Sequence, residues 1–387
     1  MEQSYYLYTE LVTELHNEGH EILVVAPAYD PKRKGLQLET GIKVLRVPTL
    51  ELFGSGLIMK GVANLLLPYL YKRALKNLKI DLNFDLIITA TPPITLYNVV
   101  AWLKRKSNGK VYLILRDIFP QNAVDLGLMK EKSFIHRFFR DKEKKLYAIS
   151  DSIGCMSEGN ISYLEKHNPE IDKKKLHLLP NWANLLPLQS NEINRQLKKQ
   201  EGLEGKFIVV FGGNIGIPQK MENIVDLALA CKDKTDILFL IVGVGSALED
   251  LKNLIASKEV SNIQLRKGLK HNEYFELLQI TDVGLISLSD QFTIPNYPSK
   301  ALSYFNAKKP ILASLDLSTD FGEGLEKINA GLWAEAGNTS LLKEKLMLLY
   351  NDSELRMQMG ENGYNHMKKE LTSKKALETV INVISKL

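Results

Sequence analysis

Two rhythms of apolar and polar positions take turns along this chain. From 206 to 314 a β-rich apolar run at 207–211 breaks at Gly212-Gly213. It passes into a helical pattern with Ile224, Leu227 and Ala228 on one face. ILFLIVGVGSALEDLKNLI then reads as a second strand, a second turn containing Gly243 and Gly245, and a second helix. NIQLRKGL, a helix around 274–279, the strand DVGLISL and the stretch YPSKALSYFNAKKPILAS continue the series. Strand, turn and helix repeated in this way predict an open parallel sheet.

The first half of the chain keeps the same order. An amphipathic helix is expected over 2–18, with Tyr5, Tyr8, Leu11, Val12 and Leu15 on its apolar face and a stop at Gly19. Strands follow at 21–26 and 43–47, then a long helix over 57–78. A strand at 85–90 ends in Thr91-Pro92-Pro93 and leads to a helix over 94–106. Another at 111–115 runs into Arg116-Asp117, and further strands fall at 152–156 and 177–179. Residues 185–201 are polar, as an interdomain connection would be. After 314, residues 331–337 close the second sheet and 341–387 form a helical tail. The expected organisation is an N-terminal α/β domain over 1–184, a linker over 185–205, a second α/β domain over 206–370 and a final helix over 371–387.

Composition adds bounds. A length of 387 residues suggests two domains, and 45% hydrophobic with 25% charged residues suits a soluble protein with a full core. Cys155 and Cys231 sit in apolar contexts and read as buried thiols, which fits a reducing cytoplasm better than export. No charged-then-apolar leader precedes the first helix, so no signal peptide is expected, and the apolar run at 61–71 is too short to span a bilayer. The net charge of +5 is uneven. Lys130, Lys132, Arg137, Arg140, Lys142, Lys144 and Lys145 crowd one segment, interleaved with Phe134, Phe138 and Phe139; Lys72, Arg73 and Lys76 follow an apolar stretch. Such helices either lie on an anionic membrane surface or expose a solvated face over an aromatic core. No nucleic-acid motif is present, and nucleic acid is not expected as a partner.

Phosphate chemistry is the remaining signal. Each strand-to-helix turn of a parallel sheet presents free backbone N–H groups at the carboxyl edge, and glycine lets an anion approach them. Gly212-Gly213-Asn214 is therefore a candidate cradle, although Gly-rich turns also occur without ligands and neither GxGxxG nor GxxxxGK[ST] is present. His167, His177 and His271 show no metal-ligand spacing.

Several stretches, taken together and in order, resemble the family-four (retaining) glycosyltransferases. They are GHEILVVAP, TPP at Thr91, RDIFPQNAVDLGLM from Arg116, MSEGN, LLPNWAN, FGGNIG, IVGVG and PSKALSYFNAKKPILAS. The resemblance is to the branch acting in bacterial O-antigen, capsule and exopolysaccharide assembly. It implies a GT-B fold: two Rossmann-like doubly wound domains facing a central cleft. It also implies a nucleotide-sugar donor, expected to be a UDP-sugar, held mainly by the C-terminal domain, and no metal cofactor. The acceptor would be a saccharide, lipid-linked through a polyprenyl carrier, at the cytoplasmic membrane face. Donor contacts implied are Gly213, Asn214, Lys220, Gly243, Gly245, Ser299, Lys300 and Ser303. Arg116 and Asp117 stand where the family has a His-acidic pair, and Asp117 is the candidate for acceptor orientation or proton transfer. An Asp that merely caps the turn is the alternative, as is an Arg116 that either meets a phosphate or pairs with Asp117.

The departures are specific. The family's Arg after the first-turn glycine and its Lys five residues later are Asn214 and Gln219 here; its paired glutamates fall at Pro295 and Ser303. Donor binding is then expected to be weaker or differently arranged, since a charged hydrogen bond contributes about 1.5–3 kcal/mol against about 0.5–1.5 for a neutral one. The family also begins with a strand and a Gly-containing loop that this sequence lacks before its first helix. The expectation is a misassigned or truncated start missing roughly 10–20 residues, one strand plus a turn. A non-catalytic homologue binding a sugar nucleotide or a partner transferase, and a sugar-nucleotide epimerase of the same architecture, are the competing readings.

Overall fold

The computed structural model describes residues 7–50 and 57–387. The part of the first expected helix over 2–6, Tyr5 included, lies outside the described residues. Contacts divide the chain into two units: residues up to 180 with 373–387, and residues 181–372. The final helix, Ser373–Ile384, belongs to the first unit, where Ser373 Oγ donates to Glu14 Oε1 at 2.8 Å.

The first unit contains β1 (Leu23–Ala28), β2 (Gly35–Glu39), β3 (Ile42–Pro48), β4 (Leu86–Ala90), β5 (Lys110–Leu115), β6 (Ser152–Cys155) and β7 (Leu176–Leu178). Among the described residues they form two sheets, ordered β1-β3-β2 and β4-β5-β6-β7. The second is wholly parallel, and its centre, β5, reads as an unbroken apolar run because both faces are covered. The first departs from the expected alternation: β2 runs antiparallel to β3 with no helix between them. The turn there is made by Thr40 and Gly41, both with positive φ. The alternation GLQLE before that Gly was the available signal for a hairpin strand.

Residues 181–372 carry β8 (Phe207–Asn214), β9 (Ile237–Val244), β10 (Ile263–Arg266), β11 (Val283–Ser287), β12 (Ile311–Leu315) and β13 (Gly331–Glu335) in one parallel sheet. The order is β10-β9-β8-β11-β12-β13. That is the dinucleotide-fold order 3-2-1-4-5-6, whose strand sequence reverses between β8 and β11. Apolar side chains of β8 go alternately to two separate cores: Ile208 and Val210 to one, Phe207, Val209 and Phe211 to the other. The expected linker is not featureless: it holds the helix Asn191–Gln200, capped by Ser190.

The strand break expected at Gly212-Gly213 does not occur. β8 runs on through both glycines to Asn214, pairing Gly212 with Val242, Gly213 with Gly243 and Asn214 with Val244. Glycine lacks the side chain that marks a strand in sequence, so an edge-to-edge pairing of two glycines leaves no periodic trace. The next helix begins only at Glu222, after a short 3-10 turn over Ile217–Gln219.

Candidate active site

In open parallel sheets ligands bind beyond the carboxyl ends of the strands, where the order reverses. In the second unit that point lies between the loop after β8 and the loop after β11. Hydrogen bonds join these loops directly. Asn223 Nδ2 donates to Ser287 Oγ at 3.1 Å and to Leu288 O at 3.3 Å. Ser287 Oγ donates to Lys220 O at 3.2 Å, and Ser289 N donates to Pro218 O at 2.9 Å. Asn223 and Ser287 are buried, so their polar groups would be costly if left unpaired. Neither was singled out from sequence, where an Asn one residue into a helix has no distinguishing mark.

The glycines divide into two roles. Gly213 is exposed, has φ +119°, and has open space where a Cβ would stand. That is the conformation and clearance an approaching anion needs. Gly243 and Gly245 instead serve the backbone beside them. A Cβ on Gly243 would lie 1.9 Å from Gly213 O, and one on Gly245 would lie 2.0 Å from Ile215 O. They let the strand end of β9 press against the loop after β8.

The cations divide as sharply. Lys220, in a left-handed conformation with φ 37°, is spent on Asp290: Nζ lies 2.5 Å from Oδ1. Lys300 has no such partner. Its Nζ is sealed from solvent without a hydrogen bond and rests 3.7 Å from the centroid of the Phe211 ring, at the reversal point. The stem of Lys300 keeps some accessible surface while its ammonium does not. Loss of water around the ammonium pulls its pKa down to about 7. A ring face compensates a buried ammonium by about 2 kcal/mol, well below what an ion pair with full hydrogen bonding supplies. Ser299, beside it, is exposed.

Lys300 is positioned through Tyr304, in the helix Ala301–Asn306. The buried Tyr304 hydroxyl shares its proton between Leu285 O at 3.0 Å and Val210 O at 3.2 Å, and accepts from Gly212 N at 3.4 Å. Its ring fills the space left by Gly284, where a Cβ would meet ring carbons at 2.4 Å. This clamps the helix to β8 and β11 together. Nothing in the sequence marks Tyr304 for this role, since its partners lie 19 and 94 residues away.

Asn214 and Gln219, at the two positions where the family would carry charge, are paired with one another. Gln219 Oε1 accepts from Gly216 N at 3.1 Å and from Asn214 Nδ2 at 3.4 Å. The amide holds the loop shape. Ser303 lines a small cavity with Ala183, Asn184, His271, Tyr274 and Asn306.

In the first unit, Arg116 and Asp117 follow β5. Thr91 Oγ1, buried after β4, accepts from Arg116 N at 3.1 Å, and Thr91 N donates to Ile114 O, so the two strand ends are tied. Peptide bonds Thr91-Pro92, Pro92-Pro93 and Phe119-Pro120 are cis. Asp117 is exposed just beyond the carboxyl end of β5. Partial loss of its water pushes its carboxyl above the usual carboxylate range, while Arg116 pulls it the other way. The Tyr8 hydroxyl is raised chiefly by burial and senses both charges. Arg116 and Asp117 do not form an ion pair, and Arg116 Nη1 is buried without a partner.

With this geometry in hand, the comparisons with known proteins are specific. Residues 7–185 match the family described as Glycosyltransferase Family 4, and residues 193–366 match Glycosyl transferases group 1. The chain is similar to the probable glycosyltransferase WbjE of Pseudomonas aeruginosa, at 25% identity over 64% of this chain and 61% of the relative. It is also similar to the putative colanic acid biosynthesis glycosyl transferase WcaI of Escherichia coli, at 21% identity over 62% of this chain and 59% of the relative. The alignments thus span less than two thirds of the length of these curated relatives. In fold it is similar to the Anabaena protein HepE, solved in complex with UDP-glucose. The TM-score is 0.72, with 14% identity, covering 100% of this chain and 98% of that one. Both halves of the chain match the two family descriptions in succession, and it belongs to the GT-B glycosyltransferases of the family-four type.

Proposed function

We propose that the chain transfers a sugar from a UDP-sugar to a lipid-linked saccharide acceptor in cell-surface polysaccharide synthesis. The observation that carries this reading is the buried ammonium of Lys300, without a hydrogen bond, over the ring of Phe211 in the strand that ends in the open backbone of Gly213. Leaving-group departure places negative charge on the β-phosphate as the anomeric carbon becomes cation-like. A fixed cation and backbone donors aimed there stabilise the transition state more than the ground state. Lys300 supplies the cation, with Ser299 and Asn214 as neutral donors, and no metal is needed for this step. Asp117 orients the acceptor hydroxyl or takes its proton. Retention of anomeric configuration is part of the proposal.

Surface chemistry of the first unit supports a membrane-borne acceptor. In the helix Leu57–Asn77 the inner side buries Ala63, Leu67, Tyr71 and Leu75, yet Met59, Val62, Leu65, Leu66 and Tyr69 are exposed on the outer side. Arg73 and Lys76 continue from it. Phe134 is 86% exposed at the start of the helix Phe134–Ile149, with Ile135 exposed beside it and Lys130, Lys132 and Arg137 around it. Apolar side chains ringed by cations suit the headgroup boundary of an anionic bilayer. No helix among the described residues is long and apolar enough to cross a membrane.

The decisive experiment is a transfer assay with UDP-sugars and a lipid-linked acceptor, alongside calorimetric titration with UDP. Transfer lost in Lys300→Met together with UDP affinity supports the reading. A second reading, a binding-only homologue, is favoured by the neutral Asn214–Gln219 pair and by Ser303. UDP binding without transfer to any acceptor would select it.

A further inference from the structure

Arginines of the first unit that serve the fold are saturated. Arg46 grips Glu39 with both arms, Nε to Oε1 and Nη2 to Oε2 at 2.7 Å each. Arg140 spends Nη1 on Glu143 at 2.6 Å and Nη2 on Asn168 Oδ1 at 2.6 Å and His167 O at 2.9 Å. Arg116 stands apart from both. Its backbone is pinned to Thr91 at the carboxyl end of the parallel sheet, its Nη1 is stripped of water, and it forms no ion pair with the neighbouring Asp117. Burial disfavours its charge, and the compensation from Tyr8 and Asp117 acts only at a distance. A guanidinium has five donors in a planar fork matched to carboxylate and phosphate, and leaving part of it dry and unused destabilises the fold. A structural ion pair would explain such a group only if a carboxylate stood within ion-pair distance of it; among the described residues none does.

We propose that Arg116 anchors a second anion site, in the first unit, that takes a phosphoryl group of a diphosphate. The ligand chemistry follows from the donor. A planar fork at a sheet's carboxyl edge, its backbone tied to the turn at Thr91 and one of its arms without a partner, suits a tetrahedral oxyanion. Two substrates of the proposed reaction carry a diphosphate: the nucleotide sugar and a lipid-linked acceptor. The proposal rests on that reading for the identity of its ligand, though not for the existence of the site.

The test uses the full chain and calorimetric titration of two probes, UDP and farnesyl diphosphate, the latter added to UDP-saturated protein. Farnesol serves as the control without phosphate. The expected result is that Arg116→Met weakens farnesyl diphosphate by about tenfold or more, the value of one charged hydrogen bond, and leaves UDP affinity unchanged. Arg116→Lys, which keeps the charge and loses the fork, should fall between. Farnesol binding should be the same in all three proteins. If Arg116→Met instead weakens UDP by that factor and spares farnesyl diphosphate, the site stands and its anion comes from the donor. If neither affinity moves in either variant, and both melt as cooperatively as wild type, the site is refuted while the transferase reading is untouched. If wild type binds farnesyl diphosphate in an Arg116-dependent way but fails to bind UDP, this site survives and the donor assignment falls.

Discussion

The two carboxyl edges of this molecule are built on different terms. In the second unit the loops after β8 and β11 are joined by Asn223, Ser287, Ser289 and the Lys220–Asp290 pair, while the buried ammonium of Lys300 has no hydrogen bond among the described residues. In the first unit the ends of β4 and β5 share the Thr91–Arg116 contact, and Tyr8, Arg116 and Asp117 crowd together without pairing. The contrast shows how a binding surface is made rigid and how reactive groups are kept unspent. Hydrogen bonds between these loops hold the second unit's carboxyl edge in place before any ligand arrives, which would lower the ordering cost of binding the proposed diphosphate. On the other side, one arm of Arg116 is buried without a hydrogen bond while Asp117, next in the chain, stays exposed.

The largest expected effect probes the unspent side. Asp117→Asn should lower the transfer rate by about 10²–10⁴-fold if the carboxyl handles a proton, with UDP affinity unchanged. A rate within about threefold of wild type would reduce Asp117 to a turn residue. Next comes Lys300→Met, expected to weaken UDP by about 10–100-fold, the value of a charged hydrogen bond. Stability should move the other way. Because burial depresses the lysine's folded pKa below its unfolded one, the unfolded chain binds the extra proton between about 7 and the ordinary lysine value. Wild type is therefore penalised fully below about pH 7 and less as pH rises. Lys300→Met should melt above wild type at pH 6, with the gap closing by pH 10. Equal melting temperatures at pH 6 would mean the ammonium is not desolvated.

Smaller effects sharpen the preorganised side. Gly243→Ala should cost about 1–3 kcal/mol in denaturant unfolding, since its Cβ would meet the backbone oxygen of Gly213 rather than a movable side chain. Smallest of all, Lys220→Met should change UDP affinity by less than about threefold, as expected for a half-exposed pair worth about 0–1 kcal/mol. A tenfold loss there would exchange the roles of the two lysines.

Much of this was legible in the residues. The β-rich runs at β5, β8 and β9 and the Gly-containing turns announced parallel sheets, because buried parallel strands are continuously apolar. Three things were not legible. The helix start beside Ser299 favours Lys300 over Lys220 in sequence, but what separates them was hidden, since the carboxylate that neutralises Lys220 lies 70 residues downstream and the ring under Lys300 sits in a different strand. Likewise Gly243 and Gly245 looked like phosphate glycines, and only the register of β8 on β9 assigns them to the packing of Gly213 and Ile215. Asn214 and Gln219 marked a departure from the family, but their pairing with each other depends on a 3-10 turn that the strand-helix rhythm does not encode.

The central claim is that Lys300 is the cation that meets the donor's diphosphate. Calorimetric titration of UDP at pH 8, in two buffers of different ionisation enthalpy, tests it most directly. A lysine held near pKa 7 is mostly neutral at that pH and must gain a proton to face a diphosphate. The account predicts uptake approaching one proton per UDP in the wild type and none in Lys300→Met. Binding that takes up no proton, or uptake that persists in the variant, would contradict it.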